Sequence, residues 1–195
     1  IFALRRGNGD PEMAIDVMRP TLHREETVTF EVVVRNQGVG HTFPGGTNDS
    51  NEGWLEFEVT DGEGNQLAVS GTVGVDGHLD PLAHVYKSVI LDEHGEPIQM
   101  RNAQDIHVIA AANVIGPGTA DVAHYQVRIP PDVVQGPIRI SARLLWRKFD
   151  RAYTEFAYNA NRDGFIKFDE VPDLPITEIA RDEVVLMLGS ESDSG

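Results

Sequence analysis

The chain has 195 residues, enough for one hydrophobic core in a single domain, and its 19 glycines and 11 prolines favour short strands joined by turns. Its formal net charge of -15 repels phosphate backbones, which argues against nucleic-acid binding. It has no cysteine, which excludes disulfides, thiolate metal ligands, thiol nucleophiles and a Cys-x-x-Cys-His haem attachment motif within these residues.

The sequence carries no membrane-spanning or export signal. No stretch reaches the roughly 18 apolar residues that a transmembrane helix needs, and the opening residues lack a signal-peptide pattern. Because an initiator methionine is also absent, we expect a processed or excised piece. Residues 189–195, GSESDSG, are polar and acidic, and we expect them to form a flexible tail.

Residues 1–10, IFALRRGNGD, begin with a short apolar strand. Ile1, Phe2 and Leu4 supply its apolar side chains, and GNGDPE separates it from the main domain, which we assign to residues 11–188. An added strand can pair with any free sheet edge. We therefore expect this strand either to complete the sheet of its own domain or to be exchanged with a neighbouring copy.

Alternating apolar and polar residues predict the next strand in ETVTFEVVVRN. One face of that strand carries Val28, Phe30, Val32 and Val34, while threonine and glutamate occupy the other. This pattern is typical of a half-buried strand.

Two hairpins follow. WLEFEVTD, GEGN and QLAVSGTV predict the first, with Leu55, Phe57 and Val59 facing inward and glycines in the turn. HVYKSVILD and PIQM flank EHGE and predict the second.

Three further apolar runs, DIHVIAAANVI, TADVAHYQVRIP and IRISARLLWRKF, are bounded by glycine and proline and predict strands. In the second run the inward face is either Val122 with His124 or Ala123 with Tyr125. About eight strands at this spacing predict an all-β fold, an antiparallel β-sandwich of immunoglobulin-like or jelly-roll-like kind.

Two segments near the end of the chain have helical spacing. FDRAYTEFAYNA places Phe149, Tyr153, Phe156 and Ala157 on one side and predicts a short helix. ITEIARDEVVLML is compatible with a helix, but its β-branched residues also favour a final strand.

The segment Asn159–Glu170, NANRDGFIKFDE, has the oxygen spacing of an EF-hand calcium loop, with glycine at position six. Oxygen donors fall at positions one, three, five, seven and twelve, which are Asn159, Asn161, Asp163, Phe165 and Glu170. A neutral residue at position one and a lysine at position nine depart from the pattern. We predict bound Ca²⁺ here, with a glycine turn between a helix and a strand as the alternative.

The segment His41–Trp54, HTFPGGTNDSNEGW, has no hydrophobic period and is rich in oxygen donors. Asp49 and Glu52 are candidate ligands of a second cation, and the alternative is a network of side-chain to backbone bonds that ties the loop to the next strand. Asn48 begins an Asn-x-Ser acceptor sequence for glycosylation, which matters only in an exported protein.

No nucleophile stands beside a base in the sequence. Ser50 lacks the strand-turn-helix elbow of a hydrolase, and the seven histidines do not fall at the offsets of a zinc site. We therefore predict that the chain is not an enzyme. If the chain were an enzyme, the candidate catalytic acids would be the carboxylates at loop edges, which are Asp49, Glu52, Asp105 and Asp121.

An ordered series of segments runs through nearly the whole chain up to Tyr158: IFALRR, VVVRNQGVGHTFPGGTNDSNEGWLEFEV, DPLAHVYKSVILDEHG, RNAQDIHV, IGPGTADVAHYQV and RLLWRKFDRAY. Together they resemble the C-terminal, non-haem β-sandwich region of large exported bacterial multihaem cytochrome c-type proteins. The resemblance implies an exported setting and places His41 as a haem ligand or against a haem. Because this sequence has no Cys-x-x-Cys-His motif, that haem would belong to another chain.

From these patterns we expect a non-catalytic, calcium-stabilised extracellular module, a subunit of a surface filament that assembles with like copies. Bound cations would bridge acidic surfaces that otherwise repel one another. The alternative is an accessory domain of a multihaem cytochrome electron-transfer assembly, with His41 near a haem of another chain.

Overall fold

The computed structural model describes residues 1–7, 15, 19–161 and 168–189. In this part of the chain ten strands, one helix and one 3₁₀ turn at Ala103–Asp105 form the fold. The strands are β1 Phe2–Arg6, β2 Thr27–Arg35, β3 Glu52–Thr60, β4 Gln66–Ser70, β5 His84–Tyr86, β6 Ser88–Leu91, β7 Val108–Ala112, β8 Ala120–Arg128, β9 Pro137–Arg147 and β10 Thr177–Met187, and the helix is α1 Arg151–Ala160.

The strands form two main sheets and a small ribbon. The smaller sheet has the order β1-β2-β8, the larger has the order β10-β9-β3-β4 with β5 also paired to β3, and β6 pairs with β7. Every pair among these strands is antiparallel. The predicted all-β, antiparallel, sandwich-like class is therefore confirmed.

The core lies between the two main sheets, and the predicted inward faces supply it. Val28, Phe30 and Val32 of β2 are buried, as are Leu55, Phe57 and Val59 of β3. The ring of Phe30 lies 6.0 Å from that of Phe57, which stacks at 4.1 Å on Tyr125 of β8. Each fully buried side chain of this size contributes about 1.5–3 kcal/mol through the area it removes from water.

Two points that the sequence left open are decided by packing. In β8 Ala123 is buried and Tyr125 packs against the core, while His124 is exposed, so the odd-numbered face is inward. The segment near the C-terminus is the strand β10, paired with β9 along its length, and its Val184 and Leu186 are buried.

The strand β1 completes the sheet of its own chain. Its residues pair with β2 from Phe2 opposite Val32 to Arg6 opposite Val28, and the side chains of Phe2 and Leu4 are fully buried. Exchange of this strand with a neighbouring copy stays a prediction. The domain limits assigned from the sequence, and the acidic tail of which 190–195 lie outside the described residues, stay predictions as well.

The second hairpin forms only in part. The turn at Asp92–Glu96 returns the chain, and the N–H groups of His94 and Glu96 donate to Asp92 Oδ1 at 2.8 and 2.9 Å. The following segment makes one bridge, Leu91 to Pro97, and the Ile98 N–H donates to the Ile90 carbonyl at 2.8 Å, while the other edge of β6 pairs with β7.

The predicted short helix is present as α1. Asp150 caps its start, because its side chain accepts a hydrogen bond from the Tyr153 N–H at 2.7 Å. Lys87 donates to the other oxygen of the same carboxylate at 2.6 Å. No helix in the described ranges is long and apolar enough to cross a membrane.

Candidate functional site

The loop between β2 and β3 is held at its base by main-chain and amide hydrogen bonds. The N–H groups of Phe43 and Ile115 donate to each other's carbonyls at 2.9 and 2.8 Å. The buried Asn36 amide donates to the carbonyls of His41 and Ile115 at 2.8 and 2.9 Å. These bonds join the loop to the segment before β8, so the backbone at His41 has a defined position.

The imidazole of His41 is exposed, but its orientation is set by the loop. Its Nδ1 lies 2.8 Å from the carbonyl oxygen of Thr42. Because a carbonyl only accepts, Nδ1 must carry the hydrogen, and in the neutral ring the lone pair is then on Nε2. A Cβ at Gly45 would come within 3.2 Å of Nδ1, so a larger residue at that position would require the ring to shift by a few tenths of an ångström.

The middle of the loop packs against the large sheet. The Phe43–Pro44 peptide bond is cis, and the ring of Phe43 meets Tyr86 edge-on at 5.9 Å. A Cβ at Gly53 would lie 3.3 Å from both Phe43 and Pro44. The loop therefore rests on β3, and a larger residue at position 53 would push the Phe43 and Pro44 side chains away by a few tenths of an ångström.

The predicted second cation ligands both have protein partners. The buried Asp49 accepts a hydrogen bond from the Arg101 N–H at 3.0 Å, across 52 positions of sequence. Glu52 Oε2 pairs with Arg147 at 2.7 and 2.6 Å, and the Arg147 guanidinium lies 5.7 Å from the ring of Trp54. The described residues hold no group of three His, Cys, Asp or Glu placed for a metal, and cation binding by Asp49 and Glu52 stays a prediction.

The glycosylation acceptor is packed into the same network. Asn48 is half-buried, its carbonyl accepts from the Ser88 N–H at 3.3 Å, and Ser50 is fully buried. Asn51 donates to the Gly45 carbonyl at 3.0 Å and to Asn48 Oδ1 at 3.4 Å. Glycosylation at Asn48 stays a prediction.

The EF-hand-like segment is only partly within the described residues. Asn159 lies in the last turn of α1, Asn161 follows the helix end, and Glu170 is exposed. Asp163 and Phe165 lie outside the described residues. Tyr158 donates to the Asp169 carbonyl at 3.0 Å, so the two ends of the segment approach each other. Calcium binding here is a prediction that these contacts do not test.

A polar cluster around Asp121, one of the four candidate acids, joins the two main sheets, and the sequence did not indicate its partners. His84 Nε2 of β5 lies 2.7 Å from Asp121 Oδ2 of β8, and Tyr86 donates to the same oxygen at 3.1 Å. Burial and the Asp121 carboxylate raise the pKa of Tyr86, and burial with the same charge raises that of Tyr125. Only pairing between distant strands brings these residues together, and no local motif marks them.

The comparisons with known proteins concern the fold. No protein-family model matches the chain, and no curated protein matches it. It is similar to the crystal structure of a penta-haem cytochrome c552 from Thermochromatium tepidum, with 16% identity, a TM-score of 0.59, and coverage of 86% of this chain and 38% of that chain. It is also similar to the C-terminal domain of wzt, with 10% identity, a TM-score of 0.42, and coverage of 97% and 71%, which is too weak to argue from.

The likeness to the cytochrome is one of fold alone at this identity. The chain spans 38% of that protein, so the comparison concerns a region of it rather than the whole. A sandwich-like region of a cytochrome-related protein is compatible with this finding.

Proposed function

We propose that the chain is a non-catalytic β-sandwich module of an exported multihaem cytochrome assembly, in which His41 supplies an axial imidazole to a haem carried outside this sequence. The observation that carries the proposal is the hydrogen bond that holds the His41 ring through Nδ1 to the Thr42 carbonyl. A histidine that ligates a metal almost always donates its other ring N–H to a carbonyl or carboxylate. Nδ1 of His41 does so toward Thr42, and Nε2 has no hydrogen-bond partner within the described ranges.

The donor set fits a haem iron. Imidazole is a common axial ligand of haem, and a neutral ring with its lone pair on Nε2 is the form that binds. Covalent attachment would be made elsewhere, because these 195 residues hold no cysteine. When bound, the haem supplies one-electron redox chemistry. The role of this chain is to hold the ring, through Asn36 at the loop base and the close approach of Gly45.

The resemblance of the sequence and the likeness of fold support the same assignment. The segments that resemble multihaem cytochromes include the motif that contains His41, and the fold is shared with part of a penta-haem cytochrome. In that setting the immunoglobulin-like or jelly-roll-like sandwich serves as a rigid support for the loop.

A second candidate is the calcium-stabilised extracellular subunit of a surface filament. The observation that favours it is the contact between Tyr158 and the Asp169 carbonyl, which draws together the ends of an oxygen-rich segment. Titration of chelator-treated protein with Ca²⁺ tests it by calorimetry. A Ca²⁺-dependent heat that Asp163→Ala abolishes supports this candidate, and no heat at millimolar Ca²⁺ rules it out.

The haem proposal is tested with a ferric haem octapeptide, which carries one proximal histidine and an open sixth position. We expect the wild-type chain to convert it to the low-spin form, seen as a shift of the Soret band. His41→Ala should weaken this conversion at least about tenfold, since one metal-ligand bond is lost. His94→Ala is the matched control, because His94 is also an exposed turn histidine. Equal conversion by both variants would refute the proposal.

A further inference from the structure

The ribbon of β6 and β7 lies outside both main sheets. The two strands form a separate two-stranded sheet, and no other described segment pairs with the outer edge of β7. All five residues of β7 are exposed, so neither face of this strand packs against the core. A two-stranded ribbon is only marginally stable in water unless a further strand or another element covers it. The outer edge of β7 is therefore open to a further strand.

The ribbon exposes large apolar side chains. The exposed fractions of Val89, Ile106, Val108 and Ile109 lie between 46% and 60%. Because Val108 and Ile109 are consecutive in a strand, they project from opposite faces of the ribbon. A single exposed apolar residue is ordinary on a protein surface, but several together mark an interaction surface.

The ribbon is also uncharged. Residues 106–120, IHVIAAANVIGPGTA, hold no aspartate, glutamate, lysine or arginine, and neither does β6, although 24% of the whole chain is charged. A run of this length without charge in so acidic a chain leaves one neutral surface on a molecule of net charge -15.

The edge strands of the two main sheets are protected, and β7 is not. Charged side chains on an edge strand hinder its pairing with another chain. The edge strands β1, β8 and β10 carry such residues, for example Arg5, Arg128 and Asp182. The edge strand β4 is uncharged, but its Leu67 and Ala68 pack against the core. Only β7 among these edges combines full exposure with an absence of charge.

A second copy of this chain has the charge pattern that fits β7. Two molecules of net charge -15 repel each other over most of their surfaces, so they approach best where neither carries charge. Antiparallel pairing of β7 with its own copy, centred on Ala110, places Val108 opposite Ala112 of the second copy and Ile109 opposite Ala111 of the second copy. No two charged residues face each other between positions 106 and 114, and the alanines leave room for the larger side chains.

We propose that β7 is a self-association edge, through which two copies of the chain pair antiparallel about a two-fold axis at Ala110. The pairing joins two ribbons into one four-stranded sheet, which supplies the further strand that each ribbon lacks. Five residues on each side make a small interface, and interfaces of that class are typical of weak, reversible association. This surface is separate from the role proposed for His41 and does not depend on it.

Sedimentation velocity at increasing protein concentration tests the association. We expect the wild-type chain to pass from monomer to dimer between about 10 µM and about 1 mM. Ala110→Lys should weaken the dimer at least about tenfold, because it places like charges opposite each other on the axis. Val69→Lys is the matched control, since Val69 is 42% exposed and lies on β4. A wild-type chain that stays monomeric throughout, or equal association of the two variants, would overturn the proposal. Thermal melts check that both variants keep the fold.

Chemical cross-linking tests the position of the axis. The sequence has no cysteine, so Ala110→Cys introduces a unique thiol. Residues that face each other in an antiparallel pair have Cα atoms about 5 Å apart, within reach of a short bis-maleimide. Ala110→Cys should therefore give a covalent dimer in high yield, and Val69→Cys, with its thiol on β4, should stay largely monomeric. Equal yields would mean that the link reports random collision and would refute pairing at Ala110.

Mixing two charged variants tests the register. Ile109→Lys and Ala111→Glu should each weaken self-association, because each places a charge against an apolar neighbour. A mixture of the two should associate several-fold more tightly than either variant alone, since the lysine then faces the glutamate. Association of the mixture no tighter than that of the separate variants would refute this register.

The failure of this proposal is distinguishable from failure of the haem proposal. His41→Ala should dimerise as the wild type does, whatever its effect on the spectrum of the haem octapeptide. If the wild-type chain stays monomeric but binds an extended apolar peptide that Ala110→Lys does not bind, the edge has a different partner and the second copy is ruled out.

Discussion

The loop that holds His41 and the cluster around His84 show two histidines with opposite environments. At His41 the Nδ1–H donates a hydrogen bond to a main-chain carbonyl, and Nε2 stays accessible. At His84 it is Nε2 that meets a carboxylate, that of Asp121, on the facing sheet. The first arrangement leaves one ring nitrogen accessible from outside, and the second uses the imidazole to link two sheets. The partner of each ring, more than its exposure, decides what the histidine can do.

The largest effect should follow from removing the side chain that seats the His41 loop. Phe43→Ala should lower the free energy of unfolding by about 3 kcal/mol, because Phe43 packs on the core and on Tyr86. Urea denaturation measures the loss. Phe43→Leu, which keeps apolar volume, should lose less than half as much, and a similar loss in the two variants would show that packing at Phe43 does not hold the loop.

Disrupting the His84 cluster should lower the free energy of unfolding by less than Phe43→Ala does. Asp121→Ala should lower the free energy of unfolding by about 1–2 kcal/mol, because it leaves the buried Tyr86 hydroxyl without its acceptor. The spectrum of the haem octapeptide mixed with the chain should not change, since no hydrogen bond among the described residues joins Asp121 to His41.

Asp105→Ala serves as the control for the His84 cluster. Among the described residues, the Asp105 carboxylate accepts hydrogen bonds only from its surface neighbours Asn102 and Gln104. Its removal should cost under about 0.5 kcal/mol. Equal losses in Asp105→Ala and Asp121→Ala would mean that the inter-sheet contact adds no stability.

Alkaline pH should lower the free energy of unfolding through Tyr86 and Tyr125, which lie next to Asp121. The pKa values of Tyr86 and Tyr125 are raised in the folded protein, so the folded state keeps both protons after the unfolded chain has lost them near pH 10. The contribution of the two phenols to the free energy of unfolding is therefore fully present below pH 10. It falls as pH rises above 10, by about 1 kcal/mol per pH unit for each phenol. Unfolding curves at several pH values measure the slope, and Tyr86→Phe should reduce it by about half. An unchanged slope in that variant would contradict the assignment.

A small change in stability should come with a distinct effect on the His41 ring when Gly45 is replaced. Gly45→Ala places a Cβ about 3.2 Å from Nδ1, so the ring must shift and its bond to Thr42 weaken. Unfolding should change by under about 1 kcal/mol because the site is exposed. Nitrogen chemical shifts of the imidazole should report a mixed tautomer in place of the Nδ1–H form. A single unchanged tautomer would show that Gly45 does not position the ring.

Much of the fold could be predicted from periodicity. The inward faces of β2 and β3 and the span of α1 are local patterns of 2.0 and 3.6 residues, and the structure confirms them. The second hairpin was predicted from the turn EHGE, and the turn is present. The pairing after the turn consists of the bridge between Leu91 and Pro97 and the hydrogen bond from the Ile98 N–H to the Ile90 carbonyl, and β7 pairs with the other edge of β6.

The site could be predicted only in outline. The sequence directed attention to His41 through its motif, but gave no sign of which ring nitrogen is bonded. It offered Asp49 and Glu52 as cation ligands, whereas the structure pairs them with Arg101 and Arg147. These partners lie 52 and 95 positions away, and such contacts depend on the register of β3 against β9 and on the loop that precedes the 3₁₀ turn.

The sequence by itself determined the strand faces, the turns, the helix and the acidic charge, because each is set by side chains within a few positions of one another. Only the tertiary structure decided which nitrogen of His41 is accessible, how His84 meets Asp121, and that the ribbon of β6 and β7 lies outside both main sheets. The physical reason is that sheet pairing brings distant residues together. The hydrogen bonds and exposed edges that follow depend on that pairing, and no local pattern records it.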